Sequence, residues 1–149
     1  MNGKKSKKTM FLDGPVSTDF IAEAIRKHSE NHAIGAHQIF LGQIRADQDE
    51  SGMVHSIEFT AYREMADEAY AVFREDLFLR HSLICMHVYH SLGTVSVGEI
   101  NLFVFVSSRH RKDSIDACQE LVEWIKKEAS VWGKIKYQDE SISWKANTP

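Results

Sequence analysis

The sequence predicts a single α+β domain, and three observations carry that expectation. Three segments repeat apolar residues at the three-to-four spacing of an amphipathic helix. Residues 55–62 and 83–89 alternate apolar with polar side chains, as half-covered strands do. Residues 100–106 are apolar on both faces, the pattern of a central strand covered on both sides. At 149 residues the chain is long enough for one core and too short for two ordinary domains. No repeat, low-complexity tract or linker divides it, and helices and strands are mixed along it.

Taken in order, residues 1–12 read as a flexible basic tail around Lys4, Lys5, Lys7 and Lys8, with the domain at 13–149. A signal peptide would need an apolar stretch of about 7–15 residues there, and only Met10, Phe11 and Leu12 follow the lysines. Ser17 or Thr18 caps a first helix, in which Phe20, Ile21, Ala24 and Ile25 share a face, ending near Asn31. Residues 34–45, with Gly35 and Gly42 inside, form an irregular strand. The acidic turn at 47–52 joins it to the cleaner strand at 55–62, where Ile57, Phe59 and Ala61 oppose Ser56, Glu58 and Thr60; the pair reads as a hairpin with a mobile tip. Ala66, Ala69, Tyr70, Phe73 and Leu77 mark a second helix over 64–80. A strand follows at 83–89, then a short piece around Val95 and Val97 set off by Gly93 and Gly98. After the central strand, Asp113 or Ser114 starts a third helix with Ile115, Cys118, Leu121, Val122, Ile125 and Ala129 on its stripe. Trp132, Tyr137 and Trp144 lie in an extended segment on the body.

Composition excludes several classes of function. The net charge of -3 gives nucleic acid no general attraction, so any anion site is local. No apolar run approaches the ~20 residues of a membrane span, and a cytoplasmic protein is expected. Cys85 and Cys118 stand in no metal or redox spacing and read as reduced, buried small hydrophobes. Among eight histidines, His28 and His32 are one helical turn apart but lack a third ligand, and His87 and His90 point to opposite faces of a strand. No metal and no cofactor are therefore expected. A nucleophile elbow, a P-loop and a dinucleotide fingerprint are all missing.

What remains is cationic. Arg109, His110 and Arg111 precede the third helix, whose start offers unpaired N–H groups and a positive dipole end. Such a junction suits a phosphate or carboxylate; the competing reading is a plain surface loop. Arg45 ends its strand and is either a ligand group or a solvated arginine paired with Asp47. Lys126 borders the buried stripe beside Ile125. Partial desolvation there lowers an amine's pKa and suits proton transfer, whereas a snorkelling stem beside Glu123 is the ordinary alternative. Lys134, after Trp132 and Gly133, adds another amine.

With these residues in view, the chain resembles the large, catalytic subunit of molybdopterin synthase from about residue 34 to 144. The motifs are Gly35-Ala36-His37 through Phe40-x-Gly42-x-x-Arg45, Tyr62-x-x-Met65-Ala66, His90-x-x-Gly93 with Val97-Gly98-Glu99, His110-Arg111, and the Lys126 helix leading to Trp132 and Trp144. The resemblance implies an α/β-hammerhead fold with a mostly antiparallel sheet and packed helices. It implies a sulfurtransferase that converts cyclic pyranopterin monophosphate (precursor Z) to the dithiolene of molybdopterin. Sulfur would arrive as a thiocarboxylate on the C-terminus of a small ubiquitin-like subunit. The large subunit would form a homodimer within a heterotetramer, with the His-Arg pair supplied by the neighbouring protomer. By position, Gln43, Ile44, Arg45, His110 and Arg111 would bind substrate, together with Lys126, Gly133, Lys134 and Ile135. Lys126 would be the main catalytic amine and Lys134 the second.

Two departures from the family pattern bear on this. Gly133 stands where the family places a lysine directly after the tryptophan, and Lys134 follows one residue later. A one-residue shift in a regular strand turns a side chain to the other face; the conformational freedom of glycine and the long lysine stem are expected to let Lys134 substitute. Ser91 stands where an arginine is common, which touches a secondary contact. An alternative is therefore a catalytically impaired homologue kept as a binding partner of the small subunit. A phosphate-ligand binding domain without sulfur chemistry is a third reading.

Overall fold

The doubly apolar run at 100–106 lies at the centre of the fold. A computed structural model describes residues 8–139 and 142–144. The chain runs β1 (Phe11–Asp13), α1 (Thr18–His28), β2 (Ala36–Gln43), β3 (Gln48–Asp49), β4 (Gly52–Ala61), α2 (Arg63–Arg80), β5 (Leu83–Ser96), β6 (Ile100–Ser108), α3 (Arg111–Glu128), β7 (Val131–Tyr137) and β8 (Ile142–Trp144). The sheet order is β2-β6-β5-β4-β7-β8, with β1 added to β5 and β3 to β4. Among the described residues only β1 and β5 pair in parallel.

Alternation along β6 sends Leu102, Val104 and Val106 to one face and Phe103 and Phe105 to the other, all fully buried. The first face is covered by α2 and α3 through Ala66, Leu77, Ala117, Leu121 and Ile125. The second is covered by α1, chiefly through Ile21. Each such side chain contributes roughly 1.5–3 kcal/mol on burial, so β6 is the strand on which the other elements depend. The first helix starts as its cap predicts: the Ser17 hydroxyl accepts a hydrogen bond from the Phe20 amide at 3.1 Å.

Several expectations are corrected. The tail does not extend to residue 12: residues 1–7 lie outside the described residues, but Met10 and Phe11 are buried and Phe11–Asp13 pairs with β5. The expected hairpin across the acidic turn does not form. β2 pairs with β6 instead, and only Gln48–Asp49 folds back on β4. The reason is burial, because Phe40 packs into the α2–α3 side and Ile39 into the α1 side. A strand with apolar groups on both faces finds two covered faces beside β6. The piece around Val95 belongs to one long β5, in which Gly93 at φ 87° marks the change of partner from β6 to β4. Ala69 and Ile115, placed on buried stripes, are exposed.

Candidate functional site

The third helix begins at Arg111, two residues earlier than Asp113, and its N-cap is His110, whose side chain makes no capping bond. Two buried serines organise this end instead. Ser108 Oγ donates to the His110 carbonyl at 2.6 Å and accepts from the Ser114 amide at 3.1 Å. Ser114 Oγ donates to the Arg111 carbonyl at 3.1 Å. These bonds hold the backbone of His110 and Arg111 while both side chains stay exposed. Behind them Gly35 fits so closely that a Cβ there would lie 2.1 Å from the Arg109 carbonyl oxygen. Its own amide donates to the Ser108 carbonyl at 3.0 Å. A histidine and an arginine thus sit at the positive end of a helix dipole, where a cation is disfavoured and an anion favoured.

Arg45 lies at the other end of the sheet. Ile44 is buried with Ile57, Phe59 and Val95, so its side chain is core and not a ligand group. Its amide donates to the Glu99 carbonyl at 3.0 Å and its carbonyl accepts from the Gly98 amide at 2.9 Å. This anchors the chain against the β5–β6 turn and leaves Gln43 and Arg45 exposed on either side. Arg45 meets Asp47 at 3.2 Å with its side chain 79% exposed. A pair so open is worth at most about 1 kcal/mol, so the Arg45 guanidinium is open to other anions.

Strand β6 is flanked by Arg45 at its start and His110 at its end, and spans about 26 Å. The short link after β6 turns α3 back along β2 and β6. From Arg111 to Lys126 the helix covers about 22 Å, which returns Lys126 to the Arg45 end. Lys126 is half-buried. Within one copy, Arg45 and Lys126 share an end, whereas His110 and Arg111 are at the opposite one.

The register of β7 is uninterrupted at Gly133: Trp132 faces Thr60, Gly133 faces Phe59, Lys134 faces Glu58 and Ile135 faces Ile57. Gly133 is not among the glycines of positive φ. The backbone therefore offers no local rearrangement, and Lys134 lies on the face opposite position 133. It shares that face with Trp132 and with Trp144 across β8. Ile135 packs into the Ile57 cluster. Ser91 is fully buried, its hydroxyl without a hydrogen-bond partner among the described residues, and cannot replace a solvent-reaching arginine.

The thiol of Cys118 is buried and pushed up to about 11 by desolvation, which makes it a poor nucleophile. Two open grooves lie elsewhere, one of about 580 Å³ between α2 and α3 beside Phe73 and Trp124, the other of about 340 Å³ beside Phe40 and Ile115. Sequence reasoning missed Ser108, whose signal was the Ser107-Ser108 pair closing an otherwise apolar strand, and set Ser114 at the helix start and not inside its first turn. It also missed that folding lays His28 against Cys85 and His87, which lie far from it in the chain.

Comparison with known proteins bears on the family and the fold. The family model described as MoaE protein matches residues 15–128. The molybdopterin synthase catalytic subunit of Oryza sativa subsp. indica is 35% identical over 120 residues, 80% of this chain and 61% of that protein. The chain thus spans about 61% of the length of this rice relative. The catalytic subunit of Pyrococcus abyssi is 33% identical over 124 residues, 83% of this chain and 82% of that one. Among solved structures, molybdopterin synthase from Staphylococcus aureus superposes with a TM-score of 0.80 at 25% identity, covering 95% of this chain and 99% of that chain. Matched over most of its length by the family model and by these relatives, the chain belongs to the MoaE protein family.

Proposed function

We propose that this chain is the catalytic subunit of a molybdopterin synthase, a cytoplasmic sulfurtransferase acting on cyclic pyranopterin monophosphate. The observation that carries the reading is the placement of its cations, with Arg45 and Lys126 at one end of β6 and His110 and Arg111 about 26 Å away. One copy cannot close these groups around a small molecule. Two copies related by a twofold axis can, each lending His110 and Arg111 to the other's Arg45 and Lys126.

In such a pocket, Arg45 binds the substrate phosphate in a charge-assisted, bidentate manner. His110, Arg111 and the start of α3 from the second copy add donors on the other side. The thiocarboxylate sulfur of a small ubiquitin-like subunit attacks the pterin carbon, forming a C–S bond as the C–O bond breaks, and Lys126 either protonates the departing oxygen or stabilises the negative charge that develops. Water then hydrolyses the resulting thioester, which leaves the sulfur on the pterin and releases the carrier as a carboxylate. Two transfers make the dithiolene. The chain's own thiols take no part. An extended carrier tail has an apolar landing place in Tyr62 and Trp132, whose rings meet edge to face at 4.7 Å, and in the exposed Trp144.

The decisive assay mixes the chain with thiocarboxylated small subunit and precursor Z and measures dithiolene product. Lys126→Ala and His110→Ala are each expected to be inactive alone. After subunit exchange, half the dimers are mixed and one of their two pockets is intact, so about a quarter of the activity returns. No recovery on mixing would refute the shared pocket.

A second reading rests on Gly133 and on the outward face of Lys134: a homologue that binds the small subunit without turning over. A tight complex that yields no product would select it.

A further inference from the structure

We propose that His28, Cys85 and His87 form a binding site for a borderline-soft divalent cation of the zinc class, separate from the cationic pocket. Cys85 and His87 are two residues apart on β5 and therefore project from the same face of the sheet. The last turn of α1 brings His28 over them. The three donor atoms lie within 4.8 Å of one another, and all three residues are half-buried. His28 Nε2 and His87 Nε2 are 3.1 Å apart. Two nitrogens on one tetrahedral zinc stand about 3.3 Å apart, given bonds of ~2.0–2.1 Å. The Cys85 Sγ, within 4.8 Å of both nitrogens, is the third donor.

The arrangement around the ligands is also that of a metal site. His28 Nδ1 donates to the Ala24 carbonyl at 2.7 Å, so its Nε2 lone pair faces the centre, where it accepts from His87 Nε2. Metal-binding histidines commonly have their second nitrogen held in this way. Arg74 and Lys8 are the cations that act on His87. His37 lies beside the group, its ring 6.3 Å from that of His28 and its Nδ1 2.7 Å from Ser107 Oγ. Two imidazoles and one thiolate suit zinc, with a fourth position left for water.

Binding releases the Cys85 thiol proton to solvent and moves the His87 ring proton from Nε2 to Nδ1, leaving a net single positive charge. The nearby cations Arg74 and Lys8 hold the affinity down. A bound ion would pin the end of α1 to β5 and so steady the segment that leads to Gly35 and the Arg109 carbonyl.

Cobalt titration of the full chain, freed of metal by chelation, tests the site. One equivalent of Co²⁺ is expected to give a thiolate-to-cobalt charge-transfer band that Zn²⁺ abolishes by displacement. Cys85→Ser loses the band, and His87→Gln weakens binding ~10-fold or more. Cys118→Ser and His32→Gln leave it unchanged. Should Cys85→Ser fail to fold, the rise in Tm on adding Zn²⁺, expected in the parent and missing in His87→Gln, decides the matter. Absence of the band at one equivalent, or undiminished binding in His87→Gln, would leave the His28–His87 contact as a simple hydrogen bond and overturn the proposal.

Discussion

Replacing Gly35 by alanine sets a methyl carbon 2.1 Å from the Arg109 carbonyl oxygen, where contacts under 3.0 Å are essentially never found. Both partners are backbone, so neither can swing aside as a long side chain would. Strand β2 begins at the next residue and is tied to β6 through Ala36 opposite Ser108. The Arg109 loop is therefore the part that yields, and its carbonyl must retreat from 2.1 to at least 3.0 Å. Overpacking of this kind costs about 1–3 kcal/mol. For a chain of this length each kcal/mol lowers Tm by roughly 2–4 °C. The displacement passes directly to His110 and Arg111, held to Ser108 and Ser114 by bonds of 2.6–3.1 Å. A misplacement near 1 Å in a positioned group lowers turnover by up to ~100-fold. Thermal unfolding by circular dichroism, with steady-state formation of dithiolene, measures both effects. A variant that melts within about 1 °C of the parent and keeps full turnover would show that this close approach does not position the loop.

Further outcomes follow from the same geometry. Ser108→Ala removes the hydroxyl that joins the His110 carbonyl to the Ser114 amide; leaving buried groups unpaired costs about 1–3 kcal/mol, measured as a lower urea midpoint. Lys126→Ala is expected to abolish turnover, and Lys134→Ala to lower it less, because Lys134 lies on the face away from position 133; equal losses in single-turnover assays would give the two amines equal weight. Glu120 is held below the usual carboxylate range, first by its bond to Arg80; burial opposes this, and the bond to His81 and the charges of both partners add to the lowering. Its stabilising contribution is complete above the unfolded-state value of ~4.3 and is lost as pH falls through the lower folded value. Glu120→Gln should therefore be less stable than the parent at neutral pH and converge with it in acid, as followed by Tm against pH.

Much of the fold was legible because burial writes itself into local pattern. The period-two alternation at 55–62 and 83–89, the doubly apolar 100–106 and the Ser17 cap each correspond to an observed element. Pairing was harder to read. The acidic turn made a hairpin of residues 34–45 and 55–62 look natural, yet β2 needed cover for both Ile39 and Phe40. Local sequence does not state how many faces of a strand will be covered. The tail was misjudged for a related reason: four lysines obscured Met10 and Phe11, which a distant strand, β5, buries.

For the site, the sequence by itself determined which groups are available: Arg45, His110, Arg111 and Lys126, in an order and spacing that mark the family. Their cationic character and their position at element ends are local properties, set by residue type and by where periodicity stops. Only the tertiary structure decided their distribution. Backbone geometry fixes the rise along β6 and α3, and this separates Arg45 and Lys126 from His110 and Arg111 by the length of a strand. It also decided that Ile44 is core, that Gly133 sits in regular register, and that His28 meets Cys85 and His87. Each of these depends on which surfaces pack together, and that is a property of the whole chain, beyond the reach of any short segment.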